Sequence, residues 1–133
     1  MKRTLLALLV TLPLFANPNL FTKYEGIRQG FLKLSLKDVK AGATAFAAEA
    51  RNAKQNDLAK EAEAVARSAD IDKARIAFAK LSDSMIKLQE KTEGTRPAVY
   101  HCPMIRKAWL QPKGQVGNPY DTAMALCGSL KAE

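Results

Sequence analysis

The most regular feature of this 133-residue chain is a set of apolar positions at Ile71, Ala74, Phe78, Leu81, Met85 and Leu88, with lysine, arginine and aspartate between them. Steps of three and four residues put all six on one stripe of an α-helix. Such a stripe is stable only when something apolar covers it, so the pattern commits this part of the chain to packing against further elements of the same kind. Three more stripes supply them. Leu20, Tyr24, Ile27, Phe31 and Leu34 predict a first helix from about Pro18 to Leu34, with Pro18 suited to the first helical position. Gly26 and Gly30 weaken that helix and offer room for a close neighbour. Ser35 and Asp38 read as the capped start of a second helix that carries Val39, Gly42 or Ala43, Phe46, Ala50 and Ala53. Asn56 and Asp57 offer caps for a third, with Leu58, Ala62, Val65 and Ala69 on its stripe, and Asp70 precedes the fourth, which stops by Gly94.

The expected fold class is therefore all-α: a four-helix bundle, a long ordered C-terminal loop and a short final helix. The loop is expected over Gly94 to Asn118, where Pro97, Pro103, Pro112, Gly114 and Gly117 interrupt any helical period while Val99, Tyr100, Ile105, Trp109 and Leu110 argue for order. The final helix is expected from Asn118 or Pro119 through Met124 and Cys127, with Gly128 as its stop. A composition of 47% hydrophobic and 26% charged residues is that of one ordinary globular domain.

At the start, Lys2 and Arg3, an apolar run from Leu5 to Phe15 and the small Ala16 have the layout of a signal peptide. Residues 1–16 are expected to be removed on export to the periplasm, leaving residues 17–133 as a single helical domain without stable membrane insertion. The full chain has a net charge of +8, and removal of Lys2 and Arg3 lowers it by two. Its cations are interleaved with Glu and Asp along the helices rather than gathered on one face, which does not point to nucleic acid.

Chemistry concentrates in the last third. Tyr100-His101-Cys102-Pro103-Met104 holds the only histidine and one of two cysteines; Trp109 is the only tryptophan, and Met124 and Cys127 follow. Two thiols and two thioethers are soft donors, suited to Cu(I) or Ag(I) rather than to magnesium or calcium. Pro103 disfavours helix at Cys102, so an extended segment would turn Cys102 and Met104 the same way and His101 the other. Met124 and Cys127, three apart on a helix, would share a face. The candidate metal ligands are thus Cys102, Met104, Met124 and Cys127, with His101 ranked after them. The competing reading is a Cys102–Cys127 disulfide, which an oxidising compartment permits. Met85 belongs to the helical stripe and reads as core filler. Trp109 reads either as an apolar anchor for the loop or as an indole face over a bound Cu(I). An enzyme is not expected: His101 beside Cys102 lacks an orienting acid, and there is no Cys-x-x-Cys pair.

The order Tyr100-His101-Cys102-Pro103-Met104, Trp109-Leu110-Gln111, Asn118-Pro119-Tyr120, Met124 and Cys127-Gly128 resembles a periplasmic helical domain of bacteria. That domain occurs alone after a signal peptide, or attached to adaptor (membrane-fusion) proteins of copper- and silver-type efflux pumps. The resemblance implies metal handling and efflux components as partners, without naming ligands. This chain departs from it at Ile105-Arg106-Lys107-Ala108, where the family often has a glycine-rich or acidic stretch. Two functions of different class follow: a Cu(I)/Ag(I) binding module for sequestration or delivery, or a disulfide-stapled domain that meets a protein partner.

Overall fold

The computed structural model describes residues 17–133. The signal peptide expected over residues 1–16 lies outside the described residues. Four helices come first: α1 (Pro18–Leu32), α2 (Leu36–Asn52), α3 (Asn56–Ala66) and α4 (Ile71–Glu90). The Asn17 side chain accepts from the amides of Asn19 and Leu20, Ser35 from that of Asp38 and Asp70 from that of Lys73, so three of the four starts carry a side-chain cap. α3 differs: Gln55 stands at its cap without a side-chain hydrogen bond, and Asn56 and Asp57 lie in the first turn instead.

The stripes face one core. Ala74, Phe78, Leu81 and Met85 are fully buried, as are Ile27, Val39, Phe46, Ala62 and Val65. Two glycines bring α1 and α2 together. A Cβ on Gly30 would lie 2.7 Å from the Val39 amide nitrogen, and one on Gly42 would lie 3.2 Å from that of Ile27, whereas Gly26 faces open space. Leu34 is not part of α1. It takes a left-handed φ of 53° in the turn to α2 and is exposed.

The all-α expectation is wrong beyond α4. Three strands, β1 (Ala98–Cys102), β2 (Lys107–Gln111) and β3 (Ser129–Ala132), form an antiparallel sheet in the order β2-β1-β3. The segment expected to be a loop is mostly a hairpin. Val99 pairs with Leu110, Tyr100 with Trp109 and Cys102 with Lys107. Pro103 to Arg106 make the connection, and Arg106 takes a φ of 54°, a left-handed conformation that glycine adopts at lower cost.

The expected final helix is also absent. The amide of Met124 donates to the Asp121 carbonyl and that of Cys127 to the Met124 carbonyl, but the turn is closed from outside by Asn118. Its backbone amide donates to the Ala125 carbonyl and its side chain to that of Met124. With Tyr120 held in the core at one end and Cys127 tied to β1 at the other, the segment between has too few free residues to build a stable helix.

The outer edge of β2 is closed by two hydroxyls from outside the sheet. Tyr120 donates to the Ala108 carbonyl (3.1 Å), and the Leu110 amide donates to the Tyr24 hydroxyl (3.3 Å). Both tyrosines also pack on Phe78, with ring centroids at 5.0 and 5.8 Å, so the same pair joins sheet to helices.

Candidate functional site

The site is assembled by β1, the hairpin turn and the turn that ends at Cys127. Cys102 is the last residue of β1 and is fully buried. It is bonded to Cys127, with Cα atoms 5.3 Å apart across a sequence separation of 25. The two cysteines expected to meet do so, as a disulfide.

The methionines are close to this bridge along the chain, Met104 two residues after Cys102 and Met124 three before Cys127. Because β1 ends at Cys102, Met104 lies in the turn rather than in the extended segment expected, and it is 71% exposed. Met124 is partly buried against the core, three residues before Cys127 in the same hydrogen-bonded turn. His101 lies opposite Ala108 and Ser129 in the sheet, one position from Cys102, so strand alternation turns it to the other face. The structure thus joins Cys102 to Cys127, sets both methionines within three residues of the bridge and sends His101 away. Bridged sulfurs are not thiolates. In this state the unbonded soft donors within three residues of the bridge along the chain are the two thioethers.

Trp109 is fully buried beneath the bridge region. It stacks on Tyr100 at 6.3 Å and meets Tyr120 edge-on at 6.2 Å. A Cβ on residue 128 would come within 2.7 Å of the indole ring, which explains a glycine immediately after Cys127 by close packing rather than by helix termination. The Trp109 Nε1–H donates to Gln111 Oε1 at 2.9 Å. The same oxygen accepts from the Gly117 amide at 3.2 Å, while the Gln111 side-chain nitrogen donates to the Gln115 carbonyl at 2.9 Å. From α1, the buried Arg28 donates to the Gly117 carbonyl at 2.6 Å and is neutralised by Glu25. A guanidinium in the interior is tolerable only with such partners.

Burial also sets the tyrosines. Tyr24 is enclosed and its pKa is raised by desolvation, against a smaller opposing effect of its 2.7 Å hydrogen bond with Ser82. Desolvation likewise raises Tyr120 well above the ordinary phenol value. Both are neutral hydrogen-bonding groups at any physiological pH. Lys107 places its ammonium 5.7 Å above the Tyr120 ring.

With this geometry in view, comparison of the sequence is informative. A family model described as "Protein of unknown function (DUF3347)" matches residues 24–96. The chain belongs to the DUF3347 family. The matched part runs from within α1 to the residues before β1 and so covers most of the helical part of the structure. No curated protein and no solved structure matches this DUF3347 chain.

Sequence reasoning missed Tyr24, Arg28, Ser82, Gln111 and Asn118 as organising residues. Arg28 carried one legible signal: it falls beside Ile27 on the apolar side of α1, where a cation needs a reason to be. Among the described residues, no group of three or more His, Cys, Asp or Glu side chains is gathered to hold a metal ion, and no helix is long and apolar enough to cross a membrane.

Proposed function

We propose that this DUF3347 protein is an exported, disulfide-stapled interaction domain that serves a soft-metal efflux system. The observation that carries the reading is the Cys102–Cys127 bridge, which joins the end of β1 to the turn before β3 and holds the hairpin tip rigidly against it. Such bridges persist in oxidising compartments, which supports a periplasmic location. The resemblance of the cysteine and methionine motif to domains attached to copper- and silver-type efflux adaptors supports the choice of partner.

A second reading is favoured by Met104. A thioether that is 71% exposed, two residues from a bridged cysteine, has no core to fill. In this reading the reduced protein binds Cu(I) or Ag(I) through the thiolates of Cys102 and Cys127 with the thioethers of Met104 and Met124, and His101 is available only after rearrangement. Oxidation then empties the site by removing both thiolates.

Cu(I) competition with a chromophoric chelator separates the two. Wild type, Met104→Leu and Met124→Leu are titrated with and without reductant, and thermal unfolding is followed on the same samples. The stapled domain predicts a marked loss of stability on reduction and the same weak Cu(I) uptake in all three proteins. Tight uptake of one ion by the reduced wild type, weakened in both leucine variants, would transfer the assignment to the metal site.

A further inference from the structure

Away from the bridge, a groove of about 480 Å³ runs between the first turns of α1, the Thr95–Pro97 segment and the end of β2. That volume is within the usual range for small-molecule sites. Its floor and walls include Phe21, Pro97, Leu110 and Pro112, and its rim carries the cations Arg96 and Lys113. Glu25, on the opposite wall, is committed to Arg28 and Gln29.

The rim cations already hold an acidic residue of the chain. Lys113 is ion-paired with the Glu133 carboxylate, which raises the lysine's pKa, and Arg96 donates to the Glu133 carbonyl at 3.2 Å. Arg96 is fixed by two further hydrogen bonds of 2.8 Å to the carbonyls of Gln89 and Thr92 at the end of α4. Among the described residues no Asp or Glu side chain forms an ion pair with it. A half-buried guanidinium with no side-chain carboxylate paired to it, beside an apolar groove and next to a lysine that holds the carboxylate of an exposed residue, is complementary to a molecule with an apolar chain and an anionic head.

We propose that this groove binds a free single-chain carboxylate amphiphile, with the alkyl chain on Phe21, Leu110 and the prolines and the carboxylate on Lys113 and Arg96 in place of Glu133. Apolar area supplies most of the affinity, and charge-assisted hydrogen bonds orient the head group. Glu133 is an internal competitor for the head-group position. Its removal therefore strengthens binding, the reverse of what loss of an ordinary surface contact does.

The test is titration of the full, oxidised chain with decanoate, followed by calorimetry and by amide shifts of residues around Phe21 and Leu110, with decanol as the neutral-headed comparison. The expected result is saturable binding of decanoate, weaker binding of decanol and loss of about tenfold or more in affinity in Thr22→Trp, which fills the groove. Glu133→Gln is expected to bind about threefold tighter and Lys113→Gln about threefold weaker, as an exposed ion pair allows. Absence of saturable binding, equal affinity for decanol and decanoate, or unchanged affinity in a folded Thr22→Trp variant would each overturn the proposal. Should Thr22→Trp not fold, the two exposed substitutions decide: shifts in the same direction, or no shift in either, defeat it.

Discussion

Between Pro18 and Glu90 the interior is mostly apolar, built from side chains and two glycines that let helices approach, with Arg28, Ser68, Ser82 and Gln89 as its buried polar residues, whereas the part from Ala98 to Ala132 is tied down by a disulfide, by Arg28 reaching across from α1 and by the hydroxyls of Tyr24 and Tyr120. The difference follows from what each element can bury. A helix of 20 residues such as α4 presents a long stripe to its neighbours. Strands of four or five residues present only two or three side chains per face, and a sheet of three such strands is marginal without further support. Specific polar and covalent contacts supply that support.

Three measurements separate the two kinds of stabilisation. The largest effect is expected in the helical core, where Phe78→Ala removes a fully buried ring that meets Tyr24, Phe31 and Tyr120. It should cost about 3–5 kcal/mol in denaturant unfolding, against about 0.5 kcal/mol or less for the exposed Glu90→Ala. Equal costs would mean that the stripe does not face a core.

Next is the bridge. Reduction, or Cys127→Ser, should lower stability by about 3 kcal/mol for a closed loop of this length. Hydrogen exchange should rise first in the sheet and the Asp121–Gly128 turn, while α2 and α3 keep their protection; loss of protection throughout the helices at the same rate would show that the two parts do not differ as described.

The smallest effect is expected for Tyr24→Phe, which leaves the ring and removes the hydroxyl from Ser82 and the Leu110 amide. A cost of about 1–2 kcal/mol is expected at neutral pH. The pH dependence sharpens it. Because burial on folding raises the pKa of Tyr24 above the ordinary tyrosine value of 10.0, the unfolded chain loses this proton first. The associated stability is complete below pH 10 and is lost as pH rises beyond it. The variant should unfold at high pH with a shallower slope than wild type, and identical slopes would place Tyr24 outside the linkage.

The helical part was legible in the sequence because its information is local. Each stripe repeats over several turns, and Ser35 and Asp70 mark two starts by their own chemistry. The sheet was not legible for three physical reasons. Its strands are five residues or fewer, too short to display a period. β1 is buried at four of its five positions, so the polar and apolar alternation of a surface strand is absent. The hairpin connection from Pro103 to Arg106 has no glycine, although Arg106 occupies a left-handed position. The meeting of Cys102 and Cys127 was anticipated by chemistry alone, while the side chains that organise the surrounding loop could not be, since Arg28 and Tyr24 find their partners 89 and 86 residues away.

Those two separations bear on the order of assembly. A chain is made from its N-terminal side, so α1 exists long before the residues that satisfy it. Until Gly117 is delivered, the Arg28 guanidinium has only residues of its own helix for company, and until Leu110 and Tyr120 arrive the aromatic face of Tyr24 and Phe78 has no lid. The four helices alone therefore leave an apolar, aromatic surface uncovered. Tyr120 over Phe78 and the Cys102–Cys127 bond cover that surface from the C-terminal side, and neither contact can form until those later residues have been made.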